Sequence, residues 1–396
     1  MEPVTLPNGG WRDRPGLETL VTALDATHGG ARYVGGAVRD TLLGLPVSDI
    51  DLATRFAPKD VIARLEGAGI KAVPTGLAHG TITAVSSGTV VEVTTLRRDV
   101  STDGRHATVA FTDDWQEDAA RRDFTINALF ADPVHGTVYD WFGGLEDLRE
   151  GRVRFIGDPF RRIAEDHLRI LRFFRFHARF GRVIDPAGLD ACTVRANDLM
   201  ALSRERIAAE VLKLLVAPRA VPVVALMVEH GIFRPVLPEI EDVAALAALA
   251  DRETAAGIAP DPIRRLAALI TPAAAEAVGA RLRLSNVDRK RLEAAGGPIG
   301  DEGPRPLAFR IGIESAIDRL LLAGQPLDEL ADWSPPRLPI SGGALVARGM
   351  AKGPDVARAL RQIEERWIAE GFPDAARTDQ IAQDVLDQLL QRSSSA

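Results

Sequence analysis

Toward the N-terminus, apolar residues recur at every second position in short runs bounded by turn-forming residues, the period of half-buried β-strands. Residues 32–34, 50–53, 70–73, 80–85 and 90–95 are such runs, and Ser86-Ser87-Gly88 between the last two reads as a hairpin turn. Two segments carry the helical period instead: 16–26, and 58–67 with its stripe of Val61, Ile62 and Leu65. From Gly157 the helical period takes over and persists to the C-terminus. Asp158 suits an N-cap with Pro159 at the first helical position, and that helix is expected to run on through EDHLRILRFFR. A further helix opens at Ser203, with Arg206 and Glu210 expected to pair four residues apart. Beyond it, Ala- and Leu-rich helices are interrupted at Pro260-Asp261-Pro262, Gly296-Gly297-Pro298 and Gly303-Pro304. The expectation is an α+β chain, with a mixed sheet of about five strands and flanking helices followed by all-α segments.

Length and charge refine this picture. At 396 residues the chain exceeds one ordinary core. Four parts are expected: a head over 1–145, a neck over 146–220, a body over 221–335 and a tail over 336–396. No apolar run reaches the ~18 residues of a membrane helix, and MEPVTLPNGGWRDRPG lacks a basic-then-apolar leader pattern, so a cytoplasmic protein without membrane partners is expected. Cys192 is the single cysteine, which excludes an internal disulfide and a Cys-rich zinc site. The net charge of −7 sits awkwardly with nucleic-acid binding, yet charge is segregated. Residues 151–185 hold nine arginines against four acids, whereas 221–260 hold two against six. A basic cleft and a solvated helix face would both produce such counts. The same two readings apply to Arg281, Arg283, Arg289, Lys290 and Arg291 as an RNA-backbone patch.

Candidate chemistry concentrates in YVGGAVRDTLLGLPVSDIDLAT, residues 33–54. Asp49 and Asp51 are two apart on an expected strand, so they project from one face roughly 7 Å apart. Paired carboxylates suit Mg²⁺, which takes carboxylate, phosphate and water oxygens. Gly35-Gly36 just before them lets backbone N–H groups approach an anion. A second dense motif is Arg121-Arg122-Asp123-Phe124-Thr125-Ile126-Asn127-Ala128, whose paired guanidiniums suit a triphosphate and equally a helix start with surface arginines. In a continuous helix Asp166 and Arg169 would share a face, as an intrahelical ion pair or as a reader of base edges. A carboxylate only accepts and a guanidinium only donates. Side by side they complement the amine-plus-ring-nitrogen edge shown by both cytosine and adenine, and they oppose like to like against uracil and guanine.

The joint pattern GG-x-V-R-D-x-L-L-G-x-x-x-x-D-x-D-x-x-T, with RRDFTINA and E-D-x-L-R-x-x-R, resembles the class II tRNA CCA-adding enzymes and bacterial poly(A) polymerases of the DNA polymerase β superfamily. The resemblance implies addition of CCA to the tRNA 3′ end from CTP and ATP. It implies Mg²⁺ on Asp49 and Asp51, the triphosphate on Gly36, Arg39 and Arg122, and base choice by Asp166 and Arg169. Arg172 and Arg175 would be further nucleotide contacts, and S-x-E-R-I-x-x-E, with Arg206 and Glu210, would brace them. Glu92 reads as a third carboxylate or as an edge-strand glutamate. The turn PTGLAHGT and the polar stretch RRDVSTDGRHA, expected as a mobile loop, favour the CCA-adding branch over a poly(A) polymerase or an enzyme adding only CC or only A. A non-catalytic RNA-binding protein on this scaffold would be expected to have lost a metal carboxylate. Residues 337–372 resemble the tail that contacts tRNA, and the final RSSSA is expected to fray.

Overall fold

The computed structural model describes residues 4–103 and 106–393. The chain forms two compact units, 1–241 and 242–396. In the first, the strands are β1 (Ala31–Val34), β2 (Asp51–Thr54), β3 (Lys71–Gly76), β4 (Thr81–Ser86), β5 (Thr89–Thr95), β6 (Arg97–Asp103), β7 (His106–Phe111), β8 (Phe130–Ala131) and β9 (Val138–Tyr139). Seven of these make one mixed sheet, ordered β3-β4-β5-β2-β1-β8-β9. β2 and β5 run parallel and the other neighbours antiparallel. The expected five strands are therefore joined by β8 and β9, which are too short to show a period of their own.

Alternation puts Ile82, Ala84, Val91 and Val93 fully inside, as the period of two requires. Residues 97–107, expected as a loop, instead pair as the antiparallel ribbon β6-β7, with a register shift between Asp99 and Ser101. Backbone pairing does not require an apolar period, so the polarity of the stretch concealed the ribbon. Residues 104–105 of the stretch expected as a loop, and 394–396 of the polar terminus, lie outside the described residues.

The helices of this unit are α1 (Leu17–Ala23), α2 (Gly36–Leu42), α3 (Pro58–Gly67), α4 (Trp115–Ala120), α5 (Gly144–Glu150), α6 (Pro159–Glu165), α7 (Arg169–Phe180), α8 (Pro186–Val194), α9 (Arg204–Leu215) and α10 (Ala220–Glu229). Asp158 caps α6 through the backbone N–H groups of Phe160 and Arg161, as expected. The continuous helix expected through EDHLRILRFFR is broken. Asp166 is extended, at φ −152° and ψ 107°, between α6 and α7. Its carboxylate accepts from Leu168 N at 3.1 Å, a local bond that competes with helix continuation. A further aromatic cluster ties the segment after α4 to α7: Phe124 lies 4.9 Å from Phe155, 5.4 Å from Phe176 and 6.3 Å from Phe173, centroid to centroid.

The second unit is helical: α11 (Ala244–Ala255), α12 (Pro262–Ala267), α13 (Ala275–Arg281), α14 (Asn286–Ala295), α15 (Pro304–Ile311), α16 (Ile313–Ala323), α17 (Gly342–Ala347), α18 (Pro354–Ala369) and α19 (Ala375–Ser393). Its interior includes a buried ion network. Asp318, 0% exposed, takes Arg264 Nε at 2.8 Å and Arg291 Nε at 2.5 Å. Glu253 takes Arg264 at 2.7 Å and Arg265 at 2.8 Å. Arg291 is thus committed to Asp318, Asp261 and Glu314 rather than to an RNA-facing patch. Among the described residues no helix is long and apolar enough to cross a membrane.

Candidate active site

Gly35 ends β1 and opens α2 at φ +66°, a left-handed conformation that favours glycine. A Cβ there would stand 3.5 Å from Arg122 Nη1, so the turn and Arg122 are neighbours. Two carboxylates follow. Asp51 is the first residue of β2, while Asp49, expected on the same strand, lies two residues before it and outside it. Asp49 is exposed and accepts from Ser48 Oγ at 2.8 Å. Glu92 stands opposite Asp51 in the parallel β2-β5 register, on an interior strand rather than an edge.

The electrostatics follow this placement. Burial pushes the Asp51 carboxyl up, Glu92 adds to it, Arg122 opposes it and Asp49 adds again, giving a pKa of about 6. Among the described residues no three His, Cys, Asp or Glu side chains gather tightly enough to enclose a metal ion by themselves. The set nonetheless fits Mg²⁺. It offers oxygens only, carries negative charge that Arg122 opposes only in part, and leaves the ligand positions that Mg²⁺ usually gives to water and substrate phosphates.

Arg121 and Arg122 follow α4, and Asp118 within that helix holds both. It accepts from Arg121 Nε at 2.8 Å and from Arg122 Nη2 at 3.0 Å while 1% exposed. Burial favours the neutral acid, but Arg122 and Arg121 outweigh it and hold the Asp118 pKa below the usual carboxylate range. Arg122 Nε is buried without a hydrogen-bond partner among the described residues. Such an orphan donor beside a glycine turn is suited to an anion.

Arg39 differs from the expectation of a free phosphate ligand. It is 5% exposed, donates from Nε to Asp40 at 2.8 Å and from Nη1 to Asn127 Oδ1, and its guanidinium lies 4.3 Å from the Phe180 ring centroid. It therefore underpins the turn: a Cβ on Gly36 would lie 3.7 Å from Arg39 Nη2.

The break at Asp166 separates two residues expected to pair on one helix face. Asp166 is held by Arg206 of α9, at 2.9 and 3.2 Å. Arg169 donates to Glu165 and to the Arg162 carbonyl at 2.7 Å each, and to the Arg121 carbonyl at 3.3 Å. Arg162 also donates to the carbonyls of Arg121 and Arg122. The segment around the α6–α7 break and Arg122 are thus fastened through one piece of backbone, which itself runs on to Asp123. Arg172 meets Asp123 at 2.6 Å, and Arg175 meets Glu210 at 2.5 Å. Arg206 and Glu210, expected to pair with each other, cross instead to the break and to α7.

Comparison with known proteins bears on the same residues. Residues 31–154 match the Poly A polymerase head domain, and 183–243 match the Probable RNA and SrmB-binding site of polymerase A. The CCA tRNA nucleotidyltransferase 1, mitochondrial, of Danio rerio is 37% identical over 359 residues, covering 85% of this chain and 83% of that one. The chain belongs to the CCA tRNA nucleotidyltransferase family. The human member of this family is 34% identical over 387 residues, 90% of this chain and 87% of its own. The crystal structure of the Bacillus stearothermophilus CCA-adding enzyme in complex with CTP superposes with a TM-score of 0.72 at 26% identity, over 97% of this chain and 100% of that one. Against this family background, sequence reading had passed over Asp118, and had quoted Asp123, Asn127 and Glu165 within motifs without giving them a role of their own. The signal for Asp118 was present, since it precedes Arg121 and Arg122 by three and four residues, the spacing of side chains on one helix face.

Proposed function

We propose that this nucleotidyltransferase adds C, C and A to the 3′ end of tRNA from CTP and ATP, without a nucleic-acid template and with release of pyrophosphate. One observation carries the reading within a family that names this activity. The glycine turn, Asp51 at the start of β2 and the helix that follows the break at Asp166 all converge on Arg121–Asp123.

Asp49 and Asp51 hold Mg²⁺ in this proposal, with Glu92 beside them. When bound, the ion supplies Lewis-acid activation of the primer 3′-hydroxyl and neutralises charge on the leaving pyrophosphate. Arg122 meets triphosphate oxygens over Gly36, and Arg39 acts from beneath the turn. Asp166 accepts from the exocyclic amine of cytosine or adenine, and Arg169 donates to the neighbouring ring nitrogen. The ion pairs of Arg172 and Arg175 support a holding role, through Asp123 and Glu210, ahead of the direct nucleotide contact implied by resemblance. The head over 1–145, neck over 146–220, body over 221–335 and tail over 336–396 belong to the proposal, as does a cytoplasmic setting, which fractionation checks.

The printed name of the matching head domain keeps poly(A) synthesis as the second reading. Extension of tRNA lacking its 3′ end, with each NTP offered singly and in pairs, separates them. C, C, A products are expected. Long A tracts, C alone, or no extension would overturn the proposal.

A further inference from the structure

We propose that Asp40 and Arg179 form a strut that sets the gap between the glycine turn and the base-reading end of α7, and so governs how well CTP is used relative to ATP. This rests on the nucleotide-transfer reading above. Asp40 lies on α2, the helix that Gly36 begins, and is 7% exposed. One of its oxygens takes Arg39 Nε at 2.8 Å, and the other takes Arg179 Nη2 at 3.2 Å. Arg179 sits near the C-terminus of the 12-residue α7, and Arg169 is that helix's first residue. The contact is reinforced by Phe180, whose ring has the Arg39 guanidinium 4.3 Å away and the Arg179 guanidinium 4.9 Å away. α7 therefore runs from the break that reads the base to a charged anchor on the helix of the triphosphate turn.

That anchoring matters because one reader serves two bases. Cytosine and adenine show the same donor–acceptor edge, but adenine carries it farther from the sugar by the width of a second ring. With the triphosphate seated on one turn, the gap between turn and reader decides which edge is met. Removing the strut lets α7 drift from α2, and the shorter base loses its contacts first. Asp40 and Arg179 are positioning residues in this account: neither touches the nucleotide.

The test compares D40N, R179Q, R179K and the D40N/R179Q double variant. It measures kcat/KM for CTP on tRNA lacking CCA and for ATP on tRNA ending in CC. D40N and R179Q are each expected to lower CTP use at least about fivefold more than ATP use, with the double variant no worse than either and R179K restoring most of the loss. Because the Arg179 side chain is 43% exposed, R179Q decides the matter if D40N proves unstable in a thermal melt. Equal losses for the two nucleotides, or single effects that multiply in the double variant, overturn the strut alone. Wild-type protein that transfers neither nucleotide overturns the underlying reading as well.

Discussion

Replacing Asp166 with alanine separates selectivity from stability. In the structure Asp166 accepts from Leu168 N at 3.1 Å and from Arg206 at 2.9 and 3.2 Å, and both side chains of the pair are 32% exposed. A pair that open to solvent is worth about 0–1 kcal/mol, and loss of a cap-like bond costs about 1 kcal/mol. Folding should therefore weaken by about 1–2 kcal/mol, a drop in Tm of a few degrees for a unit of this size. Selectivity should change more. On the proposed reading a uracil carbonyl would face the Asp166 carboxylate, and each polar group left unpaired costs about 1–3 kcal/mol, or roughly 5- to 150-fold. Asp166→Ala removes that repulsion together with the acceptor that favours cytosine, so the ratio of kcat/KM for CTP over UTP should fall about tenfold or more. The assay is single-nucleotide extension of tRNA lacking CCA, with circular dichroism melts on the same preparation. A folded variant that still rejects UTP as well as wild type would show that Asp166 does not read the base.

Three further outcomes follow from the geometry. Asp49→Ala and Asp51→Ala should each abolish transfer while tRNA binding persists; chelation of divalent metal should do the same reversibly, and turnover that survives EDTA would count against the carboxylate assignment. Asp118→Asn withdraws the buried charge that holds Arg121 and Arg122, which should cost about 3–5 kcal/mol of stability and raise KM for both nucleotides; an unchanged melt would refute that role. His177, 5% exposed, has its pKa lowered to about 4 by burial, with Arg219 contributing, and its Nδ1 has no hydrogen-bond partner among the described residues. The unfolded chain takes up this proton first as pH falls below about 6.5, so stability should decline from there to about pH 4 by about 3 kcal/mol. His177→Gln should flatten that part of a pH–melt profile, and an unaltered slope would assign it to other groups.

Much of the site was legible before any coordinates. Asp49, Asp51, Arg122 and the glycine pair are local signals, because a turn needing positive φ and carboxylates two apart on extended chain are written in adjacent residues. Arg39, Arg172 and Arg175 were read as nucleotide contacts, and here the local view ran out. Each guanidinium is taken by a partner 1 to 88 positions away in the chain: Asp40 and Asn127, Asp123, and Glu210. Whether an arginine points at solvent, a phosphate or a carboxylate depends on what packs opposite it.

The sequence by itself determined the α/β head with helices after it, the glycine turn, the paired carboxylates and the family, since periodicity and short-range spacing dictate these. Tertiary structure decided that 97–111 pairs as a ribbon, that the helix breaks at Asp166, and that Arg206 rather than Arg169 holds that carboxylate. The physical reason is the same in each case. A hairpin of polar residues, a side chain that binds backbone two residues on in place of continuing a helix, and the choice among competing charged partners are all selections between alternatives that periodicity along the chain does not distinguish.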